Sequence, residues 1–296
     1  MRLIGLTVVV VVVLYLSSVT PAFGVILHPD GEPGVGWTDK PNDNVVGQWG
    51  NNASCVAIAS NYVITTRHQG WKSTVVIGGV TYYTQTVTDG DGGGTGNNAD
   101  IRIARITTDA EGLHDANLTD YVGLYTGTDE AVQNFVLGGF GEGREDTLKT
   151  SSGVAYGYSW TGTDKSNETL RWGTNRVDAV VSDVHVGSYI SDTIRGDFDE
   201  TGTEYEAASA EYDSGGGWFI KVGGEWQLAA LSAYVEHLDE TWFRNSVTGN
   251  LDPDQFWGIR ISSYSEWIDN TIPEPGTMTL LTLGAAGMIL RRRRKA

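Results

Sequence analysis

A single cysteine, Cys55, stands in the 296 residues, which excludes a disulfide within the chain. Stability must then come from core packing, helped by ten tryptophans and by any bound ions. Basic residues are few, with 20 Lys and Arg against 37 Asp and Glu. Neutralising phosphates needs basic patches, so nucleic acid is not expected as a partner. Long apolar runs are missing as well. The run Leu3–Leu16 has 14 residues, short of the roughly 20 that a membrane-spanning helix needs. Helical periodicity is scarce, which argues against a helical bundle. His28, His114, His185 and His237 sit in no metal-ligand spacing and read as structural or surface residues.

What is present begins with the two ends. Met1–Gly24 has Arg2, then the apolar run, then "SSVTPAFG", the layout of a secretory signal peptide. The other end carries Pro273-Glu274-Pro275, an apolar run from Met278 to Leu290, then Arg291–Arg294 and Lys295. A basic cluster behind an apolar stretch stops translocation, so on its residues alone this is a short membrane anchor, a transmembrane helix at the C-terminus. The three parts in this order resemble the PEP-CTERM sorting signal of Gram-negative bacteria. That resemblance implies transient membrane association, cleavage by an exosortase-type enzyme, and residence at the cell surface or in the extracellular matrix. The expected organisation is a signal peptide over 1–24, removed by signal peptidase, a folded domain over 25–271 and a sorting segment over 272–296. Without Arg2, the five C-terminal bases and Glu274, 14 Lys and Arg face 36 Asp and Glu, a net charge near −22. Such a charge keeps an exported domain soluble and favours basic partners or divalent cations.

Between the ends, short apolar runs alternate with clusters of Gly, Asn, Asp, Ser and Thr, the pattern of an all-β sandwich or barrel. Strands are predicted at "CVAIAS", "NYVITT", "STVVIGGVTYYTQTV", "DIRIARI", "NFVLGGFG", "WFIKV" and "WQLAALSAYV", rich in Val, Ile, Thr, Tyr and Phe. Gly223-Gly224 reads as a hairpin turn. One short helix is predicted over 263–272. Residues 88–100 and 195–213 read as loops, and "LRWGTNRVD" (170–178), with Trp172, Asn175 and Arg176, as a packed turn.

Three stretches combine into one chemistry. "NYVITTRHQG" puts His68 just after an apolar strand, "NNADIRIARI" puts Asp100 at the head of another, and "EYDSGGGWF" puts Ser214 on a glycine turn before a third. A serine hydroxyl needs a base to become a nucleophile. An imidazole titrates in the right range, and a carboxylate can orient it and stabilise its charged form. In these motifs the chain resembles the trypsin/chymotrypsin-type serine peptidases over roughly residues 45–270. "YVITTRH" stands where that family has Thr-Ala-Ala-His, and Tyr-Asp-Ser-Gly-Gly where it has Gly-Asp-Ser-Gly-Gly. "FVLGGFGEG", "LAALSAYV" and "IRISSYSEWI" echo three further family strands in order. The resemblance implies two six-stranded Greek-key β-barrels with a short C-terminal helix and a His68–Asp100–Ser214 triad. It also implies an oxyanion hole from the N–H groups of Tyr212 and Ser214.

By the same resemblance Ala208 forms the base of the substrate pocket, beside Ser209. Ser232 lines the pocket and touches Asp100, and Tyr234 and Phe256 or Trp257 shape its wall. No acid stands at the base, which implies a preference for small or apolar side chains over Lys and Arg, although Glu206 and Glu211 lie near in sequence. Asp213 takes the role of partner to a newly cut N-terminal amine, and cleavage after Gly24 would supply Val25-Ile26. Three departures stand out. Tyr212 replaces a glycine whose N–H serves the oxyanion hole. Arg67 replaces a small residue next to His68. Gln69 stands where many members carry a disulfide cysteine. No metal is assigned; Ca²⁺ is a candidate at Asp89 and Asp91 or at Asp197 and Asp199, neither pair completing a calcium motif. Two functions follow: an exported serine endopeptidase acting on protein or peptide substrates, or a catalytically impaired relative serving as a cell-surface or matrix binding protein.

Overall fold

The computed structural model describes residues 25–28, 37–90, 98–161, 169–244 and 253–273. The expected signal peptide, and the sorting segment from Glu274 onward, lie outside the described residues. Among the described residues no helix is long and apolar enough to cross a membrane.

The first lobe is a closed six-stranded barrel. Its strands, in the order in which they pair, are Val46–Trp49, Ser54–Ala59, Tyr62–Thr65, Arg102–Thr107, Val80–Asp89 and Thr74–Ile77. Alternation along these segments sends one face inward, where Trp49, Cys55, Val63, Val75, Ala104 and Ile106 form a buried cluster. Burial pushes the Cys55 thiol up to about 12, so it stays protonated.

The second lobe is an eight-stranded sheet rather than the expected closed six-stranded ring. Its path runs Arg171–Arg176, Asn134–Gly139, Gly217–Val222, Glu225–Val235, Gln255–Arg260, Tyr189–Asp197 and Ala179–Val186, with Gly123–Leu124 added in parallel to Glu225–Val235. Glu225–Val235 follows Gly217–Val222 through Gly223 and Gly224, both at positive φ, as a tight hairpin requires. Arg144–Ser151, Val154–Trp160 and Glu240–Trp242 form a separate three-stranded sheet. The predicted helix is a 3₁₀ turn, Ile261–Tyr264, running into an α-helix, Ser265–Thr271.

Two sequence expectations need correction here. "RWGTNR" is a strand, not a turn, in register with Asn134–Gly139. Its inward Asn175 amide donates to the carbonyls of Asp197 and Ala207 and to Glu206 Oε1, tying three segments together. The stretch 195–213 is not all loop: Ala207–Ala208 is a short strand paired with Ile26–Leu27.

The lobes share a core. Val46, Val56, Ile64 and Ile103 of the first pack with Val136, Phe219, Leu231 and Ile259 of the second and with Ile268 of the helix. Each such side chain contributes about 1.5–3 kcal/mol by leaving water. The second lobe centres on Trp218, which is fully buried. Its ring stacks on Phe135 with centroids 4.4 Å apart, meets Phe256 edge-on at 5.0 Å, and its Nε1–H donates to Ser232 Oγ at 2.8 Å. Trp218→Ala is expected to lower the unfolding free energy by about 3–5 kcal/mol, read from denaturant midpoints, because the emptied site is walled by other buried rings.

Candidate active site

His68 and Asp100 meet because their strands are neighbours. Tyr62–Thr65 pairs with Arg102–Thr107, Thr65 opposite Arg102. The chain leaving the first strand turns at once into a 3₁₀ turn, Arg67–Gln69, while Asp100 lies just ahead of the second. Asp100 is fully buried. Its Oδ1 accepts the His68 backbone N–H at 2.8 Å, and its Oδ2 accepts from His68 Nδ1 at 2.6 Å and from the Tyr234 hydroxyl at 2.9 Å. With Nδ1 carrying its proton toward the carboxylate, Nε2 is left as an acceptor. Ser214 Oγ lies 2.9 Å from it. Ser191 Oγ accepts the Asp100 N–H at 2.9 Å. Burial and the neighbouring carboxylate hold the Tyr234 hydroxyl far above its usual range, so it remains a donor.

The loop Glu211–Gly216 is defined by its hydrogen-bond accounting. Each carbonyl from 211 to 214 has a donor: Glu142 N–H on Glu211 (2.8 Å), Ser54 Oγ on Tyr212 (3.5 Å), Gly216 N–H on Asp213 (2.7 Å) and Ser54 N–H on Ser214 (2.8 Å). Asp213 N–H donates to Ala210 O and Gly215 N–H to Ser232 O. Among the described residues the N–H groups left without an acceptor in this run are those of Glu211, Tyr212 and Ser214, the last two flanking Asp213. Tyr212 is buried and held at φ 69°, the left-handed conformation a glycine would adopt freely. The loop has kept that shape despite the Cβ, at a cost of about 1–3 kcal/mol. Gly215, at φ 85°, lies so close to Ser54 O and Thr65 Oγ1 that any Cβ there would collide with both.

Behind the loop sits Asp213, wholly enclosed. Its carboxylate accepts the N–H groups of Gly141 (2.7 Å), Ala210 (2.8 Å) and Val25. A Cβ at Gly139 or Gly141 would fill the space it occupies. Burial outweighs these donors and pushes its pKa up to about 7. Val25 is 2% exposed and adopts φ 57°, rare for a β-branched residue. Ile26 and Leu27 then pair with Ala208 and Ala207.

The remaining expected site residues separate. Ala208, Ser209, Ser232 and Phe256 are buried together. Ser232 does not touch Asp100: its Oγ bonds Ser209 Oγ at 2.9 Å and receives the Trp218 indole N–H, and Tyr234 reaches the carboxylate instead. Phe256 packs on Trp218. Glu206 is no surface acid. It is buried under donors from Asn175, Thr203 and Asp199, and burial raises its pKa to about 7. Arg67 is turned away to Asp89 (3.2 Å) and Asn98 (3.2 Å), over the ring of Tyr189. Asp89 is further engaged by Arg102, through Nε at 2.5 Å and Nη2 at 3.0 Å, and Asp197 lies 3.2 Å from Arg195. Asp91 lies outside the described residues. Among the described residues no group of three or more His, Cys, Asp or Glu is arranged to hold a metal ion. Sequence reasoning missed Ser54 and Ser191, which carry no motif.

The model of the PEP-CTERM protein-sorting motif matches residues 271–295. That motif marks the protein for export and sorting to the envelope of a Gram-negative cell. No curated protein matches the sequence. The fold is similar to that of a mutant of human heparin binding protein (CAP37), with 13% identity, a TM-score of 0.52, and coverage of 80% of this chain and 96% of that one. It is also similar to neuropsin, a serine protease expressed in the limbic system of mouse brain, with 14% identity, a TM-score of 0.50, and coverage of 78% and 96%. At these identities the likeness establishes the fold, which is chymotrypsin-like.

Asp213 generates a pH prediction. Its folded pKa, near 7, lies above the unfolded value near 4. The neutral carboxyl therefore stabilises the fold fully below about pH 4, and this is lost as pH rises through about 7. With the Gly24–Val25 bond intact, Asp213→Asn is expected to flatten the decline of unfolding free energy between about pH 4 and 7, by about 1.4 kcal/mol per pH unit. Urea denaturation at several pH values measures the slope.

Proposed function

We propose that this exported protein of chymotrypsin-like fold is a serine endopeptidase. The observation that carries the reading is the single imidazole that reaches both partners, His68 Nδ1 to Asp100 at 2.6 Å and Nε2 to Ser214 Oγ at 2.9 Å. In the proposed reaction Nε2 takes the Ser214 proton as Oγ adds to a peptide carbonyl. Asp100 holds the imidazole in the required tautomer and balances its positive charge. The carbonyl oxygen, now an anion, is received by the free N–H groups of Tyr212 and Ser214. The imidazolium returns its proton to the departing amine, leaving Ser214 acylated. Water, deprotonated by the same nitrogen, then releases the acid and restores the serine.

The substrate pocket we assign to Ala208, Ser209, Ser232, Tyr234 and Phe256 is floored by small residues and hydroxyls with no acid among them. It suits a small or apolar side chain. Signal peptidase cleavage after Gly24 is proposed to give Val25 a free α-amine. Its nitrogen already donates to Asp213, so processing would set an ammonium on the buried carboxylate. It would also abolish the strained φ at Val25, since that torsion requires a preceding residue. An exosortase-type enzyme would process the C-terminal segment, with residence at the cell surface or in the matrix. The competing reading, a binding protein with an impaired site, rests on a tyrosine at 212 in place of glycine, although its backbone holds the left-handed conformation that glycine would adopt.

A serine-directed fluorophosphonate should label the mature domain, and Ser214→Ala should abolish labelling. A well-folded wild type that takes no label would favour the binding protein and sink the enzyme. The N-terminal sequence of the exported protein should read Val-Ile-Leu-His. One extra residue before Val25 should slow labelling by about tenfold or more, since the ammonium could no longer reach Asp213. A different natural start with full reactivity would refute the processing scheme.

A further inference from the structure

We infer that the Ser54 hydroxyl is a positioning group for the oxyanion site and that it is needed because residue 212 carries a side chain. The inference rests on the hydrolytic reading above. Ser54 opens a strand of the first barrel, fully buried, yet its polar groups serve the site. Its N–H holds the Ser214 carbonyl at 2.8 Å, and its own carbonyl accepts from Thr65 Oγ1 at 2.7 Å, on the strand that leads to His68. Its Oγ accepts the Phe140 N–H at 3.0 Å. A buried hydroxyl that already accepts one bond must direct its own proton to another acceptor. The Tyr212 carbonyl, 3.5 Å away, takes it.

At that length the contact is weak, at the edge of hydrogen-bond reach, and favours rather than fixes one orientation of the Tyr212 carbonyl. Tyr212 resists φ 69° and would relax by rotating the peptides on either side of its Cα. The preceding peptide carries the N–H that serves the oxyanion. Its carbonyl end, Glu211 O, is held by Glu142 N–H. The following peptide is held at Tyr212 O by the Ser54 hydroxyl and at Asp213 N–H by Ala210 O. These clamps from outside the loop, one on each side of a strained residue, keep the N–H aimed at the site. A glycine at 212 would hold the same shape without strain, so the hydroxyl would then be dispensable.

A double-mutant cycle tests the coupling, with the second-order rate of fluorophosphonate labelling of Ser214 as the readout. Ser54→Ala is expected to slow labelling about tenfold, a partial loss of one oxyanion donor. In a Tyr212→Gly background the same change should cost less than about threefold. Equal losses in the two backgrounds would mean a merely structural hydroxyl and overturn the inference. Melting temperatures of the four proteins separate unfolding from loss of reactivity. A second measurement needs no activity: in a crystal structure of Ser54→Ala, Tyr212 should leave the left-handed region or Glu211 O should leave Glu142 N–H. Retention of both would also overturn the inference. If the wild type takes no label, the hydrolytic reading fails by itself, and the crystal structure still decides whether Ser54 holds the loop.

Discussion

A carboxylate with no access to water governs this site. Asp100 cannot stay charged in the interior unless donors surround it. Two of them come from His68, and the third is Tyr234 of the second lobe. Removing a partner from a buried charge costs several kcal/mol, so the Tyr234 bond ties the second lobe to the first at Asp100. In this arrangement Ser214 reaches Nε2. The shared apolar seam, from Val46 and Val56 to Phe219 and Leu231, supplies the bulk attraction but fixes no angle.

The second constraint is the backbone of the Ser214 loop. Carbonyls that are all occupied cannot rotate freely, and the Tyr212 and Ser214 N–H groups are left without a protein acceptor. This is how a loop stores a shape that its sequence resists. The strain at Tyr212 is local, while the groups that oppose it, Ser54 and Glu142, are far away in the chain. Asp213 extends the same logic inward. Its pKa, raised to about 7, marks a cavity that accepts a neutral acid or a paired ion but not a lone charge.

Much was legible beforehand where a residue's role is carried by its immediate neighbours. Ser54–Ala59, Tyr62–Thr65, Arg102–Thr107, Asn134–Gly139, Gly217–Val222 and Glu225–Val235 fall within about two residues of the predicted segments, because period-two burial and turn glycines are local signals. By contrast 73–87, predicted as one segment, is two strands, and Glu240–Trp242 and Gln255–Arg260 were not among the predicted strands. Arg171–Arg176 was misread because its Trp, Gly and Asn resemble turn chemistry; only pairing with Asn134–Gly139 makes it a strand. Ser232 was assigned to Asp100 by resemblance. Ser232 Oγ instead lies between the Trp218 indole N–H and Ser209 Oγ, and Tyr234 supplies the hydroxyl to Asp100.

The sequence by itself determined the all-β class, the sorting motif, and which histidine, aspartate and serine would stand together. It did so because each lies in a short motif whose order along the chain is informative. The tertiary structure alone decided that the Tyr212 N–H would be left free, that Glu206 would be hidden rather than presented, and that Ser54 would bond the carbonyls of Tyr212 and Ser214. Each of these depends on groups brought together from distant parts of the chain, and hydrogen-bond satisfaction in a buried seam is a property of the assembled lobes that no single stretch encodes.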